Sequence, residues 1–584
     1  MEISLVPTVL TKAGLDTPTL NALVPNETNY TVLLMQPNGE IEGSTTGVRN
    51  KDRNLAKRQF EKFLDDARET QADLVVTPEY SMPWEVLTSA IKAGISPQQG
   101  KLWVLGCESI KYSELIALKH DLEPYAKVLF ETLQQDSHRF TDPLAYVFLT
   151  PTGADNGDSK IVLLVQFKTY PMGDNDHFEI NGLQRGTRIY QFGGGIGQEI
   201  KLVSLICSDA FAFADEGHAE AIYDRALILH IQLNQKPRQS QYRQYRDRLF
   251  RFGGDATELI CLNWARNVNE WSGAHKKEWG NIGGSAWYLR PTQFDERDAT
   301  LCINQKRGLY YTWFEALRSH ALFFNYDPAT YLLEATKVAH IGVPGSIARR
   351  RGPQLTKSCV WDNAVSKWVE QISMDVGFSS IIGEAGDART EIERIVDTNP
   401  LEAERVLSLC AGQIKGGFDW YKLSNLDSCA IDLSEIIYRL TFCQDTEQCA
   451  IDFRVRRLKR LARLWQILQT EEYLPPALKE IMGNVHLGWS PDTPYQNAIL
   501  ANGERATVIY MGEESGIAKV EATKKNIADY LHRVSSNVDQ SLSAKQRLAV
   551  WYRNENQIVL FDPHQYVKID QTGASSEFDI GRET

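Results

Sequence analysis

The chain has 584 residues, 43% of them apolar and 24% charged, with a formal net charge of −12. That length exceeds what one hydrophobic core usually serves, so two or three domains of ordinary globular composition are expected. The acidic balance argues against a general affinity for nucleic acid or an anionic membrane. No stretch approaches 18 uninterrupted apolar residues, so no membrane-spanning helix is expected, and residues 1–7 lack the basic region followed by a long apolar one that marks a secretory leader.

Residues 30–36 read as a first buried strand. Residues 54–70 follow as a helix, with Phe60, Phe63, Leu64 and Ala67 at helical spacing. Residues 74–78 form a strand that ends at Glu79; 83–93 is a short helix and 102–107 another strand. Segments 144–149 and 161–167 make a hairpin across a turn-rich stretch, and the second ends at Lys168. Glycines 193, 194, 195 and 197 fit a flexible turn rather than a phosphate loop. Residues 200–206 form an apolar strand that stops at Cys207, followed by Ser208 and Asp209. A helix is expected over 216–225, strands over 227–233 and 259–263, and a charged helix over 241–252.

After about residue 360 the texture changes. Segments 361–372, 389–411 and 430–470 read as mostly helical, 505–510 as a strand, 518–534 as a helix and 547–568 as a strand pair. The alternation upstream predicts an α/β layered domain over 29–360, preceded by an extension, 1–28. Residues 375–584 are expected to form a mixed, mainly helical accessory domain. Arg454, Arg456, Arg457, Lys459, Arg460 and Arg463 read as the solvated face of a packed helix, with an acidic partner as the alternative. The nine cysteines contain no CxxC pair, so no zinc ribbon or redox pair is signalled, and reduced thiols in a cytoplasm fit.

A carboxylate, an amine and a thiol thus each close an apolar strand, where a scaffold can hold side chains rigidly. An ordinary thiol, with a pKa of about 8.5, is mostly protonated near neutral pH. Glu79 can take its proton, and the Lys168 ammonium favours the thiolate. The thiolate can attack a carbonyl or nitrile carbon. Lys168 and the backbone N–H of Ser208 can then stabilise the oxyanion. Glu79 can pass a proton to the leaving amine and activate the water that cleaves the thioester. This chemistry needs no metal and no organic cofactor. Each residue also has a plainer reading: a core cysteine, a helix-capping glutamate, a solvated lysine. Asp209 is expected to orient the turn after Cys207, and His177 is not required if Glu79 is the base.

Thr77-Pro78-Glu79, Phe167-Lys168 and Leu205-Ile206-Cys207-Ser208-Asp209 resemble, in order, the three signature segments of the nitrilase superfamily of carbon–nitrogen hydrolases. Glu179 resembles that family's second glutamate, which positions substrate and lysine; its plainer role is to pair with Arg185 or Arg188. Ile231-Gln232-Leu233-Asn234 resembles the segment that lines the pocket, and Ile260-Cys261-Leu262-Asn263-Trp264 the later strand that ends in Asn. The match spans roughly residues 29–345. The resemblance implies a four-layer αββα sandwich, homo-oligomers built through it, a small-molecule substrate, and an amide as the bond cleaved more often than a nitrile or carbamoyl group. The Ser-Gly-Gly-x-Asp-Ser loop that the ATP-using domain of glutamine-dependent NAD synthetases needs is absent from the sequence. A second reading comes from the C-terminal region. There the sandwich assembles or senses a small molecule while the C-terminal region acts on a partner, by analogy with bacterial antiviral modules.

Overall fold

The computed structural model describes the chain except residues 152–158, 174–177, 223, 238–239, 253–255, 281–282, 291–297, 315–317, 340–351, 399, 415–419, 421–435, 482–483, 501–502, 513–514 and 563–584. It divides into two compact units, Met1–Asp375 and Val376–Thr584.

The central strands of the first unit's two large sheets are apolar on both faces because both faces are covered. Leu74–Met82 is buried at every position, as is Ala226–Ile231. A nine-stranded sheet has the order Lys367–Glu370, Gln354–Asp362, Ala329–Ala335, Tyr30–Gln36, Leu74–Met82, Leu102–Cys107, Pro143–Pro151, Ser159–Phe167 and Ala126–Phe130. An eight-stranded sheet has the order Glu2–Leu5, Arg188–Phe192, Lys201–Ile206, Ala226–Ile231, Thr257–Leu262, Ala286–Leu289, Ser319–Phe324 and Leu309–Phe314.

The two sheets pack face to face. Tyr146 and Phe148 of one meet Phe192 of the other at ring separations of 4.9 and 5.7 Å. Gln166 bridges them: its amide nitrogen donates to Ser204 O and its oxygen accepts from Tyr190 N, both at 2.9 Å. Such a buried amide is tolerated only when paired in this way.

Helices cover the outer faces. Arg53–Thr70, Trp84–Lys92 and Tyr112–Leu122 lay Phe60, Phe63, Leu87 and Leu115 on Trp103, Leu105 and Val147 of the nine-stranded sheet. The first of them starts where Asp52 accepts from Leu55 N and ends at Gln71, which is left-handed at φ 52°. Ser240–Phe252 packs Tyr242 and Tyr245 against His230 of the eight-stranded sheet. Helix, sheet, sheet, helix is the four-layer α/β sandwich expected.

Local expectations fail in three places. Residues 1–28 are not an appendage: Glu2–Leu5 pairs in parallel with Arg188–Phe192 as the edge of the eight-stranded sheet. Segment 361–372, read as helical, instead completes a hairpin of Gln354–Asp362 and Lys367–Glu370, with Trp361 opposite Trp368. Aromatic cross-strand pairing outweighs the weak helical spacing there. The helix over 216–225 gives way to Asp209–Asp215 and His218–Ala221, separated at left-handed Gly217.

The second unit has a five-stranded sheet ordered Val485–Leu487, Ala498–Leu500, Arg505–Tyr510, Leu548–Asn554 and Gln557–Leu560. Its one parallel pair, Arg505–Tyr510 with Leu548–Asn554, is joined through the helices Ile517–Val534 and Val538–Gln546, since parallel neighbours need a crossover. The helix Gln448–Leu468 corrects the expected basic face. Arg454 and Arg457 point inward, donating to the carbonyls of Ile437, Asp445 and Tyr438, and Arg457 pairs with buried Glu404 at 2.8 Å. Arg456, Lys459 and Arg463 remain on the exposed side.

Candidate active site

Glu79 does not end its strand. Leu74–Met82 pairs with Leu102–Cys107 up to Thr77–Leu105, then resumes at Met82–Cys107, so residues 78–81 bulge opposite Gly106. Tyr80 in the bulge takes the left-handed φ of 56°. Gly106 permits the close approach: a Cβ there would collide with the Pro78 carbonyl and lie 2.9 Å from Glu79 Cα. Bulges of this kind re-aim side chains, and this one turns Glu79 into the space between the sheets' ends.

Lys168 follows the strand Ser159–Phe167 and is tied down by its backbone, donating to Asp142 O and accepting from Gly186 N, both at 2.9 Å. Its ammonium lies 2.7 Å from Glu79, 2.8 and 2.9 Å from the two Glu179 oxygens, and 3.6 Å from Asp142. Glu179 thus pairs with Lys168 rather than with Arg185 or Arg188. Tyr80 Oη and Met172 N also donate to Glu179, at 2.9 and 2.6 Å. The second oxygen of Glu79 accepts from Leu233 N. All four ionisable groups are buried. The carboxylate oxygens of Glu79, Asp142 and Glu179 converge closely enough to hold a metal ion. The lysine nitrogen occupies the centre of that trio, so the cation these residues hold here is the ammonium.

Cys207 follows Lys201–Ile206 in the left-handed region, at φ 45°. Its N–H donates to Ile231 O at 2.8 Å. Its carbonyl accepts from His230 Nε2 at 2.8 Å. The imidazole tautomer follows from its other neighbour: the Gln232 amide N–H donates to His230 Nδ1 at 2.9 Å, leaving the proton on Nε2. The network continues. Asn234 Nδ2 donates to Gln232, Asn263 bonds both backbone groups of Asn234, and Trp264 Nε1 donates to Glu79 O at 2.8 Å. A chain of buried hydrogen bonds therefore joins the backbone of Glu79 to that of Cys207.

The Cys207 sulfur is fully buried, 3.4 Å from Tyr242 Oη and 3.8 Å from Met172 Sδ. Burial and the Glu79 charge push its pKa well above the ordinary thiol value, against Lys168 and the Tyr242 hydroxyl. Glu79 and Asp142 are raised, chiefly by burial. Lys168 is raised: burial opposes its charge, but Glu179 and Glu79 prevail. Burial lifts Asp209 to about 7, against hydrogen bonds from Thr169 and Tyr170 that hold the turn after Cys207. Burial lowers His230 to about 3, so it is neutral.

The geometry brings Glu79, Lys168 and Glu179 into direct contact. The thiol stands beside them, in the electrostatic field of both Glu79 and Lys168. Ser208 uses its hydroxyl on Tyr170 O, and Asn234 spends its side chain on Gln232 and Lys236 N. His177 lies outside the described residues. Sequence reasoning missed Asp142, His230 and Tyr242. A lone histidine inside the otherwise apolar run 226–231 was a readable signal for one of them; nothing local marks the other two. A surface cleft of about 630 Å³, lined by Arg49, Glu108 and Lys111 among others, includes none of these residues.

Fold and site together define a four-layer sandwich with a carboxylate in a strand bulge and an ammonium and a thiol just past strand ends, all in one buried cluster. No protein-family model and no curated protein matches the chain. Among solved structures, the chain is similar to a glutamine-dependent NAD+ synthetase from Acinetobacter baumannii (12% identity, TM-score 0.32, covering 66% of this chain and 55% of that one). It is also similar to a CN-hydrolase superfamily protein from Xanthomonas campestris (12%, 0.26, 44% and 82%) and to a glutamine-dependent NAD(+) synthetase from Cytophaga hutchinsonii (11%, 0.26, 90% and 65%). The chain thus spans about half the length of the first. At these scores the likeness carries no weight for function. The fold rests on the sheets and layers themselves. Among the described residues no helix is long and apolar enough to cross a membrane.

Proposed function

We propose that this protein is a cysteine-dependent hydrolase of a non-peptide carbon–nitrogen bond, of the nitrilase type, with an amide as the favoured substrate class. The observation that carries the reading is the buried Glu79–Lys168–Glu179 cluster beside a cysteine held in a left-handed turn. A strained backbone at a reactive side chain is a recurring mark of functional positions. Glu79 accepts the thiol proton as sulfur attacks the carbonyl carbon, and Lys168 supplies fixed positive charge as the oxyanion develops. Glu79 then protonates the departing amine. With the amine gone, Glu79 deprotonates the water that cleaves the thioester and regenerates the thiol.

A reducing, cytoplasmic setting is part of this reading, in keeping with nine scattered cysteines without a CxxC pair. A homo-oligomer assembled through the sandwich belongs to the same reading, and sedimentation measures it. The test of function is intact-protein mass spectrometry after rapid quenching with a panel of small amides and nitriles. An acyl adduct on Cys207, absent from Cys207→Ala, is expected. Full turnover by Cys207→Ala would reject the reading.

A further inference from the structure

The lysine of the site has no spare donor. An ammonium carries three protons, and three carboxylate oxygens accept from it: one of Glu79 at 2.7 Å and both of Glu179 at 2.8 and 2.9 Å. Its charge is felt at Cys207, but its hydrogen bonds are committed. Negative charge on or next to the sulfur therefore needs another side-chain donor, and one hydroxyl is in place. Tyr242 Oη lies 3.4 Å from Cys207 Sγ and 3.5 Å from Met172 Sδ. The tyrosine is buried, with Phe211 at 4.7 Å and His230 at 5.9 Å between ring centres, so its hydroxyl has a fixed direction. A neutral thiol can donate to a phenol. A thiolate can only accept, so once it forms the phenol must be the donor.

We propose that the Tyr242 hydroxyl is a catalytic hydrogen-bond donor, first to the Cys207 thiolate and then to the oxyanion formed on the carbon that sulfur attacks. The inference rests on the reading of Cys207 as the nucleophile. Glu79 takes the thiol proton; a sulfur electron pair forms the S–C bond while the carbonyl π pair moves to oxygen. That oxygen is two bonds from Sγ, within the span of a hydroxyl that already reaches the sulfur. On collapse the C–N bond breaks and the leaving nitrogen takes the proton from Glu79. The phenolic proton stays on Tyr242 throughout. The other charged groups around the thiol are Glu79 and Glu179, which disfavour the thiolate, and Lys168, which favours it. Among the described residues around the thiol, Tyr242 is the neutral side chain that favours the charged sulfur.

The experiment titrates the ultraviolet absorbance of the thiolate in the full-length protein, with Cys207→Ala protein subtracted. Tyr242→Phe keeps the ring and removes the donor; its midpoint should rise by about one to two pH units, the worth of a hydrogen bond to a charged group. An unchanged midpoint, or no thiolate in the unaltered protein up to its alkaline limit, overturns the proposal. Met172→Leu removes the competing acceptor without touching Tyr242, so the midpoint should fall. A rise there also overturns the proposal, and this variant decides the matter if Tyr242→Phe does not fold. Turnover with no shift in Tyr242→Phe sinks the donor and leaves the hydrolase. A shift in a protein that forms no acyl adduct sinks the hydrolase and leaves the hydrogen bond.

Discussion

The imidazole of His230 holds the carbonyl of Cys207: Nε2 lies 2.8 Å from that oxygen while Gln232 fixes the opposite nitrogen as an acceptor. Histidine serves here as a neutral backbone clamp. Burial keeps it uncharged, with a pKa of about 3 against an ordinary 6.5. Its contribution to stability is full above pH 6.5 and is lost as the pH falls toward 3, because the unfolded chain then binds a proton the fold refuses. The loss is on the order of 5 kcal/mol. His230→Gln keeps an amide donor at a similar reach. Urea unfolding at pH 4 and pH 7 should show a smaller difference for this variant than for the unaltered protein; an equal difference would remove His230 from the acid limb.

At Cys207 the left-handed φ of 45° predicts an inverted order of stabilities. Replacing cysteine by glycine removes the Cβ clash that such a conformation carries, whereas alanine keeps it. Cys207→Gly should unfold about 1 kcal/mol later than Cys207→Ala, although glycine normally weakens a fold. Chemical denaturation of the two variants side by side measures this. The reverse order would mean that the turn relaxes in solution.

Gly106 faces the Glu79 bulge so closely that a single methyl meets backbone. Gly106→Ala should cost about 2 kcal/mol or more, since overpacking against backbone forces main-chain shifts. It should also depress turnover by moving Glu79. A stable Gly106→Ala protein with full activity would show that the position of Glu79 is not critical.

Removing the Lys168 charge leaves Glu79, Asp142 and Glu179 facing one another in a buried site. Breaking a buried ion pair from one side typically costs about 3–5 kcal/mol. Lys168→Met should lose roughly that much near neutral pH and recover part of it in acid, where the carboxylates protonate. Thermal unfolding at two pH values reads both effects.

Asp209 has the opposite sign of linkage to His230. Its folded pKa of about 7 stands above the ordinary 3.8. Its contribution is therefore complete below pH 3.8 and disappears as the pH rises through 7, by about 4 kcal/mol. Asp209→Asn retains an oxygen for the three N–H and O–H groups of Thr169 and Tyr170 but cannot ionise. The unfolding midpoints of the two proteins should diverge between pH 4 and pH 8 in favour of the variant.

The sandwich was legible because its strands are covered on both sides and so appear as unbroken apolar runs, and because helix 54–70 writes its buried face at regular spacing. The Glu79, Lys168 and Cys207 positions were legible because each interrupts such a run with a polar group. The rest depends on contacts distant in sequence. Asp142 is an acid beside a hairpin until the fold sets it 3.6 Å from Lys168. Tyr242 is one tyrosine in a charged helix until the helix lies across the Cys207 strand. The hairpin at 354–370 was misread because its Trp361–Trp368 pair lies across a turn, where helical spacing does not apply. Arg454 and Arg457 looked like surface charge because nothing local shows that carbonyls of a neighbouring segment wait for them.

The three acids around Lys168 have an arithmetic consequence. Fully ionised, they would leave an excess of two negative charges in a space closed to water. Burial and the neighbouring Glu79 push the Asp142 pKa well up, in the direction of the acid form that relieves this excess. Proton uptake at Asp142 is thereby tied to the charges of Glu79, Lys168 and Glu179 around it.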